Sequence, residues 1–102
     1  MFARVTTAQV PPEKLDIGEA ATRQAAAKMR EQPGSSGALL LVDREHAKLI
    51  AVTLWEDQDA LRASEEVGST ERHQAAQASS GQVLDVELYE VLELQMGRDM
   101  RA

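Results

Sequence analysis

Cysteine is absent from this chain of 102 residues. The protein can therefore form no disulfide, offers no thiolate nucleophile and cannot hold a metal through cysteine. Its two histidines, His46 and His73, lie far apart in the sequence, and neither has a carboxylate at a spacing typical of metal ligands. The sequence accordingly supports no metal site.

Aromatic residues are almost as scarce, because the chain holds one phenylalanine, one tryptophan and one tyrosine. These are Phe2, Trp55 and Tyr89. The core must then be built mainly from aliphatic side chains, methionine and alanine. Any aromatic ring that lines a cavity must be one of these three.

Basic clusters and long apolar runs are also missing. Eleven lysines and arginines face 17 acidic residues, for a net charge of −6, and the basic residues are scattered. Nucleic acid and anionic membranes are therefore disfavoured as partners, since both are bound through clustered positive charge. No segment approaches the roughly 18 apolar residues of a membrane span, and the N-terminus lacks the apolar stretch of a signal peptide. We expect a soluble, cytoplasmic protein.

The first half of the chain predicts a strand, a helix and a hairpin. β-Forming residues over 2–9 end at Pro11 and Pro12, which cannot continue a ladder. Residues 13–32 have an amphipathic helical pattern, with an apolar stripe of Ile17, Ala21, Ala25 and Met29, and Pro33-Gly34 ends it. After a turn at residues 35–37, two apolar strands over 38–43 and 47–55 predict a hairpin.

The second half predicts a helix in two pieces and a long strand. Asp57 is a suitable N-cap for a helix over 58–66, and Gly68-Ser69-Thr70 is expected to interrupt it before a second piece over 71–79. Residues 83–94 alternate between apolar and polar, which is typical of a strand. We expect one domain over residues 1–95 and a loose C-terminal tail over 96–102.

The resulting β-α-β-β-α-β order predicts an α+β, ferredoxin-like fold, with the helices on one face of an antiparallel sheet. Strands two and three are apolar on both faces, although such a sheet normally leaves its second face to solvent. A second copy packed sheet against sheet would cover that face, so we expect a homodimer. The alternative is a monomer whose hairpin is simply more hydrophobic than it needs to be.

Three segments carry a resemblance to a known family: residues 34–43, residues 51–64 with the Trp55-Glu56-Asp57 helix start, and residues 86–91. They resemble the antibiotic-biosynthesis monooxygenase-like family of the dimeric α/β-barrel superfamily. The resemblance implies a dimer with sheets face to face and a ligand pocket between sheet and helices. It also implies a cofactor-independent monooxygenase that acts on a small aromatic or quinol-like metabolite.

Two departures limit what can be carried over from the family. Ser35 stands where members often have an aromatic residue, and the chain contains no asparagine, which haem-degrading and some oxygenase members place beside the tryptophan. Haem degradation is thereby disfavoured. The alternative function is a non-catalytic dimer of the same fold that binds a small hydrophobic ligand or acts as an accessory protein.

Trp55 is the leading candidate for the site. It shares a strand face with Ala51 and Thr53, and these small neighbours leave room beside the ring, so the three are expected to wall the pocket. The indole could donate a hydrogen bond and stack on an aromatic substrate. The alternative is a core residue whose N–H caps a carbonyl.

The remaining candidates are polar. Arg4 and Thr6 share one face of the first strand and could bind an anionic substrate; the alternative for Arg4 is a dimer salt bridge across the sheet to Asp85 or Glu87. His73 and Tyr89 could assist proton transfer. A histidine with such polar neighbours is more often a surface residue, and Tyr89 could equally be an interface aromatic. No cofactor is expected.

Overall fold

The sheet is antiparallel, has four strands and carries three helices in this computed structural model, which describes residues 1–97. In chain order the elements are β1 (Phe2–Gln9), a 3₁₀ turn (Pro12–Lys14), α1 (Leu15–Arg30), β2 (Ser35–Asp43), β3 (Lys48–Trp55), α2 (Gln58–Ala63), α3 (Glu65–Ser79) and β4 (Gln82–Glu90). The strand order β2-β3-β1-β4 places β1 and β3 at the centre. This is the predicted ferredoxin-like α+β fold.

The register of the two central strands decides which side chains meet the helices. Phe2 pairs with Trp55, Arg4 with Thr53 and Thr6 with Ala51, so all of these lie on the helix-facing side of the sheet. Residues of the opposite parity form the other face, where Leu39 and Leu41 of β2 remain 54% and 45% exposed. No described element of the chain covers that second face.

Helix α1 is turned relative to the predicted apolar stripe. Ile17 was expected to be buried, but it is 48% exposed, and the buried residues of the helix are Gly18, Ala26 and Met29. The reason is close packing at Gly18, where an added Cβ would lie 2.9 Å from Leu49 Cδ1. The helix contacts the sheet through Gly18, and the neighbouring Ile17 side chain therefore points toward solvent.

The interruption between the last two helices falls at Ser64 rather than at residues 68–70. Asp57 caps α2 as predicted, because its Oδ1 accepts a hydrogen bond from the Ala60 N–H at 2.8 Å. The Ser64 hydroxyl donates to the carbonyl of Leu61 at 2.7 Å, and α3 then continues through Gly68. The predicted break at Gly68 was wrong, because this glycine lies inside α3 and allows the helix to pack closely on Arg4 and Met29.

The strand ends also differ from the prediction. β2 begins at Ser35, with an irregular register between Ser35 and Gly37, so the predicted turn is part of the strand. β4 ends at Glu90, and residues 91–97 have no regular structure. Residues 98–102 of the predicted tail lie outside the described residues. Within residues 1–97 no helix has both the length and the apolar character needed to cross a membrane.

Candidate functional site

A cavity of about 70 Å³, partly open to solvent, lies between the centre of the sheet and helices α1 and α3. Strands β1 and β3 form its floor, and small or aliphatic side chains make up most of its wall. The lining residues are Arg4, Thr6, Ala8, Thr22, Ala25, Ala26, Met29, Leu49, Ala51, Thr53, Gly68 and Arg72.

All four residues predicted to bind substrate line this cavity. Arg4 and Thr6 reach it from β1, and Ala51 and Thr53 reach it from β3. They meet because Arg4 pairs directly with Thr53 and Thr6 with Ala51 across the antiparallel ladder. The small side chains of Thr6, Ala51 and Thr53 leave the space that the cavity occupies.

Trp55 stands behind the cavity wall and is 0% exposed. Its ring packs with Met29 and Leu61, and its indole N–H donates to Thr53 Oγ1 at 3.0 Å. Trp55 is not itself one of the lining residues, but it lies against three that are: Thr53, Met29 and Arg4, whose guanidinium carbon is 5.8 Å from the centre of the indole ring. The N–H is satisfied by a side-chain hydroxyl rather than by a carbonyl.

Arg4 is the most buried charged residue of the site, at 3% exposure. Its Nη2 donates to the carbonyl of Leu61 at 2.8 Å and to Ser64 Oγ at 3.1 Å, and it lies 3.0 Å from Glu65 Oε2. Its Nε and Nη1 have no hydrogen-bond partner within residues 1–97. Burial lowers the pKa of the guanidinium from its ordinary value, and the Glu65 carboxylate works against this effect.

The interpretation of Arg4 as a partner of Asp85 or Glu87 is wrong. In β4, Asp85 lies opposite Thr7 and Glu87 opposite Val5, which are residues of the other sheet face. Arg4 points toward the helices, so its carboxylate partner comes from the start of α3. The sequence prediction missed this because it treated the acidic β4 strand as the only source of a partner.

Arg72 and Gly68 line the cavity, although neither was predicted from the sequence to belong to the site. An added Cβ on Gly68 would lie 3.2 Å from Nη1 of Arg4 and 3.2 Å from Nη1 of Arg72. Arg72 Nη2 also donates to Glu65 Oε1, so this carboxylate pairs with both arginines. Helical spacing could have revealed the set, because residues 65, 68 and 72 fall on one face of a helix.

His73 and Tyr89 are not brought to the cavity. His73 follows Arg72 on α3 and is exposed, because one residue along a helix turns the side chain about 100° away. Tyr89 pairs with Ala3 on the other face of the sheet, is 49% exposed, and donates to Glu87 Oε2 at 2.7 Å. That hydrogen bond and the nearby negative charge raise the pKa of Tyr89.

The polar groups that line the cavity can all donate hydrogen bonds. Its polar groups are two guanidinium groups and the hydroxyls of Thr6, Thr22 and Thr53, and no carboxylate, imidazole or phenol lines it. In residues 1–97 no three His, Asp or Glu side chains come together as metal ligands. Chemically, the arrangement can stabilise negative charge on a bound oxygen atom but offers no side chain that accepts a proton at neutral pH.

Sequence relatives exist in Mycobacterium tuberculosis. The chain is 38% identical over 82 residues to the uncharacterized protein Rv2558, and 34% identical over 82 residues to the uncharacterized protein Rv2557. Each match covers 79% of this chain but 35% and 37% of the relative. The chain therefore spans about a third of the length of the curated relatives that it matches.

Solved structures share the fold at low sequence identity. A putative antibiotic biosynthesis monooxygenase from Deinococcus radiodurans matches with a TM-score of 0.78 and 19% identity, over 95% of this chain and 100% of that one. SnoaB, a cofactor-independent oxygenase from Streptomyces nogalater, matches with a TM-score of 0.69 and 20% identity, over 91% and 94%. The sequence profile of the antibiotic biosynthesis monooxygenase family matches residues 1–79. The chain belongs to the antibiotic biosynthesis monooxygenase family.

Proposed function

We propose that this protein is a cofactor-independent monooxygenase whose substrate is a small aromatic or quinol-like metabolite. The observation that carries the proposal is the donor-lined cavity above Arg4, Thr6 and Thr53, in a chain of this family. A deprotonated phenol or a doubly benzylic carbanion can itself supply electrons to O₂. The protein then needs to bind the anion and keep its oxygen hydrogen-bonded, for which donors suffice.

The proposed reaction balances without a cofactor. A substrate CH₂ group loses a proton to solvent and gives one electron to O₂, and the two radicals combine to form a C–O bond. Protonation yields a hydroperoxide, which loses water as the O–O bond breaks and the remaining C–H proton leaves. Overall, the CH₂ group and O₂ become a carbonyl and water, so the four electrons removed from carbon are those that reduce O₂.

We assign the residues as follows. Arg4 Nη1 has no hydrogen-bond partner within residues 1–97 and is assigned as a donor to the substrate oxygen, together with the hydroxyls of Thr6 and Thr53 in the same cavity wall. Trp55 acts behind them by holding Thr53 through the 3.0 Å hydrogen bond. His73 is exposed and Tyr89 lies on the other sheet face, so neither is assigned a role in the reaction.

The size of the cavity limits how a substrate can sit. An engineered cavity that binds benzene measures about 150 Å³, whereas this one measures about 70 Å³. The oxygen-bearing edge of a substrate would therefore lie inside, while its ring lies at the open side against Met29 and the alanines of α1. Methionine is flexible enough to adjust to such a ring.

Oxygen uptake with a panel of anthrones, each of which holds the CH₂ group that the reaction needs, tests the proposal. We expect the wild type to consume O₂ with at least one compound and to release the quinone. Thr6→Val removes a cavity hydroxyl while keeping the shape of the side chain, and it should slow uptake. Thr7→Val is its matched control, because Thr7 lies next to Thr6 in β1 but on the other face. A wild type without uptake, or equal rates for the two variants, would contradict the proposal.

A second candidate is a non-catalytic protein that binds a small ligand. The specific observation in its favour is that none of the cavity residues can act as a general base at neutral pH. This protein would bind the same aromatic compounds and be stabilised by them, but its solutions would consume O₂ no faster than buffer.

We further propose that the protein is a homodimer formed by packing sheet against sheet. Leu39 and Leu41 are exposed on the face that the helices leave uncovered, beside Ile50, Val52 and Leu54 of β3. Light scattering should give about twice the 11.1 kDa mass of the chain. Leu39→Glu should shift this mass to that of a monomer, whereas Ile17→Glu, an equally exposed site on α1, should not. A monomeric wild type would refute the dimer.

A further inference from the structure

We infer that the cavity binds the anionic oxygen of a small organic acid between the guanidinium groups of Arg4 and Arg72, beside Gly68. This inference rests on the proposed function for the location of the ligand site and deepens it by naming the class of ligand. It concerns binding alone, and no chemical step is needed for it to hold.

Charge balance is the first argument. Two guanidinium groups and one carboxylate, that of Glu65, meet at this end of the cavity, which leaves one positive charge in excess. The chain as a whole carries a charge of −6, so its overall field repels anions. An anion would therefore be attracted by the two neighbouring arginines and not by the overall charge of the protein.

The second argument is the unpartnered hydrogen-bonding capacity of Arg4. The residue is 3% exposed, yet its Nε and Nη1 lack a partner within residues 1–97. A buried charged donor without an acceptor is costly, and a bound anion is one of the partners that would satisfy it. The Nη2 of the same group is held by Leu61, Ser64 and Glu65, so the guanidinium is fixed in position, and Arg4 is one of the residues that line the cavity.

Gly68 supplies the third argument, which is geometric. A Cβ on Gly68 would lie 3.2 Å from Nη1 of Arg4 and 3.2 Å from Nη1 of Arg72, so the two guanidinium groups come within reach of the same point beside this glycine. A longer side chain at this position of α3 would separate the two cations from the cavity. Glycine is unfavourable relative to alanine inside a helix, and here it leaves room for both guanidinium groups to bind one oxygen or the two oxygens of a carboxylate.

Benzoate and benzamide are matched probes, because they share one shape and differ in charge. We expect isothermal titration of the full chain to give a benzoate affinity about tenfold or more above that of benzamide, the usual effect of hydrogen bonds to a charged partner. Equal affinities for the two compounds, or no binding of benzoate at millimolar concentration, would overturn the inference.

Two variants test the assigned residues without removing the buried Arg4. Arg72→Gln deletes one cation, and Gly68→Ala fills the point between the cations while favouring the helix. Each should abolish most of the preference for benzoate. Arg62→Gln, an exposed arginine in α2, is the control for net charge and should retain the preference. If Gly68→Ala and Arg72→Gln both fold, as judged by circular dichroism, and keep the full preference, the site is wrong.

The benzoate titration and the oxygen-uptake assay can fail independently of each other. Preferential benzoate binding without O₂ consumption by any substrate would keep the anion site and remove the monooxygenase. Oxygen uptake without a preference for benzoate over benzamide would keep the monooxygenase and remove the anion site.

Discussion

The indole N–H of Trp55 donates to the hydroxyl of Thr53, two residues earlier on the same face of β3, at 3.0 Å. Both side chains are buried, so the hydrogen bond joins the central core cluster around Trp55 to the cavity wall. Trp55 is thereby a positioning residue for Thr53.

A double-mutant cycle should measure this hydrogen bond. Thr53→Val removes the acceptor but keeps the side-chain shape, and it leaves the buried indole N–H unsatisfied, which costs about 1–3 kcal/mol. In a Trp55→Phe background no N–H is left to satisfy, so the same change should cost little. Urea unfolding of the four proteins gives the coupling free energy. Purely additive losses would show that the hydrogen bond has no energetic role.

The Asp57 cap should contribute measurably to the stability of α2. Asp57→Ala removes the acceptor for the Ala60 N–H at 2.8 Å, and loss of such a cap typically costs about 1 kcal/mol. Asp59→Ala is the control, because Asp59 lies in the first turn of the same helix but is not the cap. Its free energy of unfolding should stay within about 0.5 kcal/mol of the wild type. Equal losses for both variants would argue against the cap.

Gly34 should tolerate alanine less well than Gly37 does. Both have positive φ, at +82° and +142°, so each substitution strains the backbone. A Cβ on Gly34 would also lie 2.4 Å from Cβ of Ala60 in α2, whereas a Cβ on Gly37 meets nothing within 4 Å. We expect thermal unfolding to show an additional loss of about 1–3 kcal/mol for Gly34→Ala, the usual cost of overpacking. A larger loss for Gly37→Ala would contradict this packing argument.

Tyr89, the single tyrosine, should titrate above the pKa of a free phenol. Its hydrogen bond to Glu87 favours the neutral form, so the stability it contributes is present below pH 10 and is lost as the pH rises through the folded-state pKa. Absorbance at about 295 nm follows the phenolate. Glu87→Gln should lower the pKa toward that of a free phenol, and Asp85→Asn should lower it less. An unchanged pKa in Glu87→Gln would refute the assigned cause.

Local patterns predicted most of the fold correctly. The β-forming run before Pro11, the strand that ends at Trp55 and the cap at Asp57 all follow from short-range chemistry. The errors came where one element packs closely on another. Gly68 was predicted to interrupt a helix, but it proves to be a contact point with the two arginines, and Gly18 is a contact point with Leu49 that the sequence analysis did not single out.

At the candidate site, the side chains that share a strand face could be predicted without any tertiary contact, because the two-residue period of a strand sets them. Arg4 and Thr6, and likewise Ala51 and Thr53, were grouped on that basis and line one cavity. The pairing of Arg4 with Glu65, the nearby position of Arg72 and the placement of His73 and Tyr89 away from the cavity became known from the folded chain. These relationships depend on the rotation of α3 and on the face of the sheet that the helices cover, and packing between distant segments sets both.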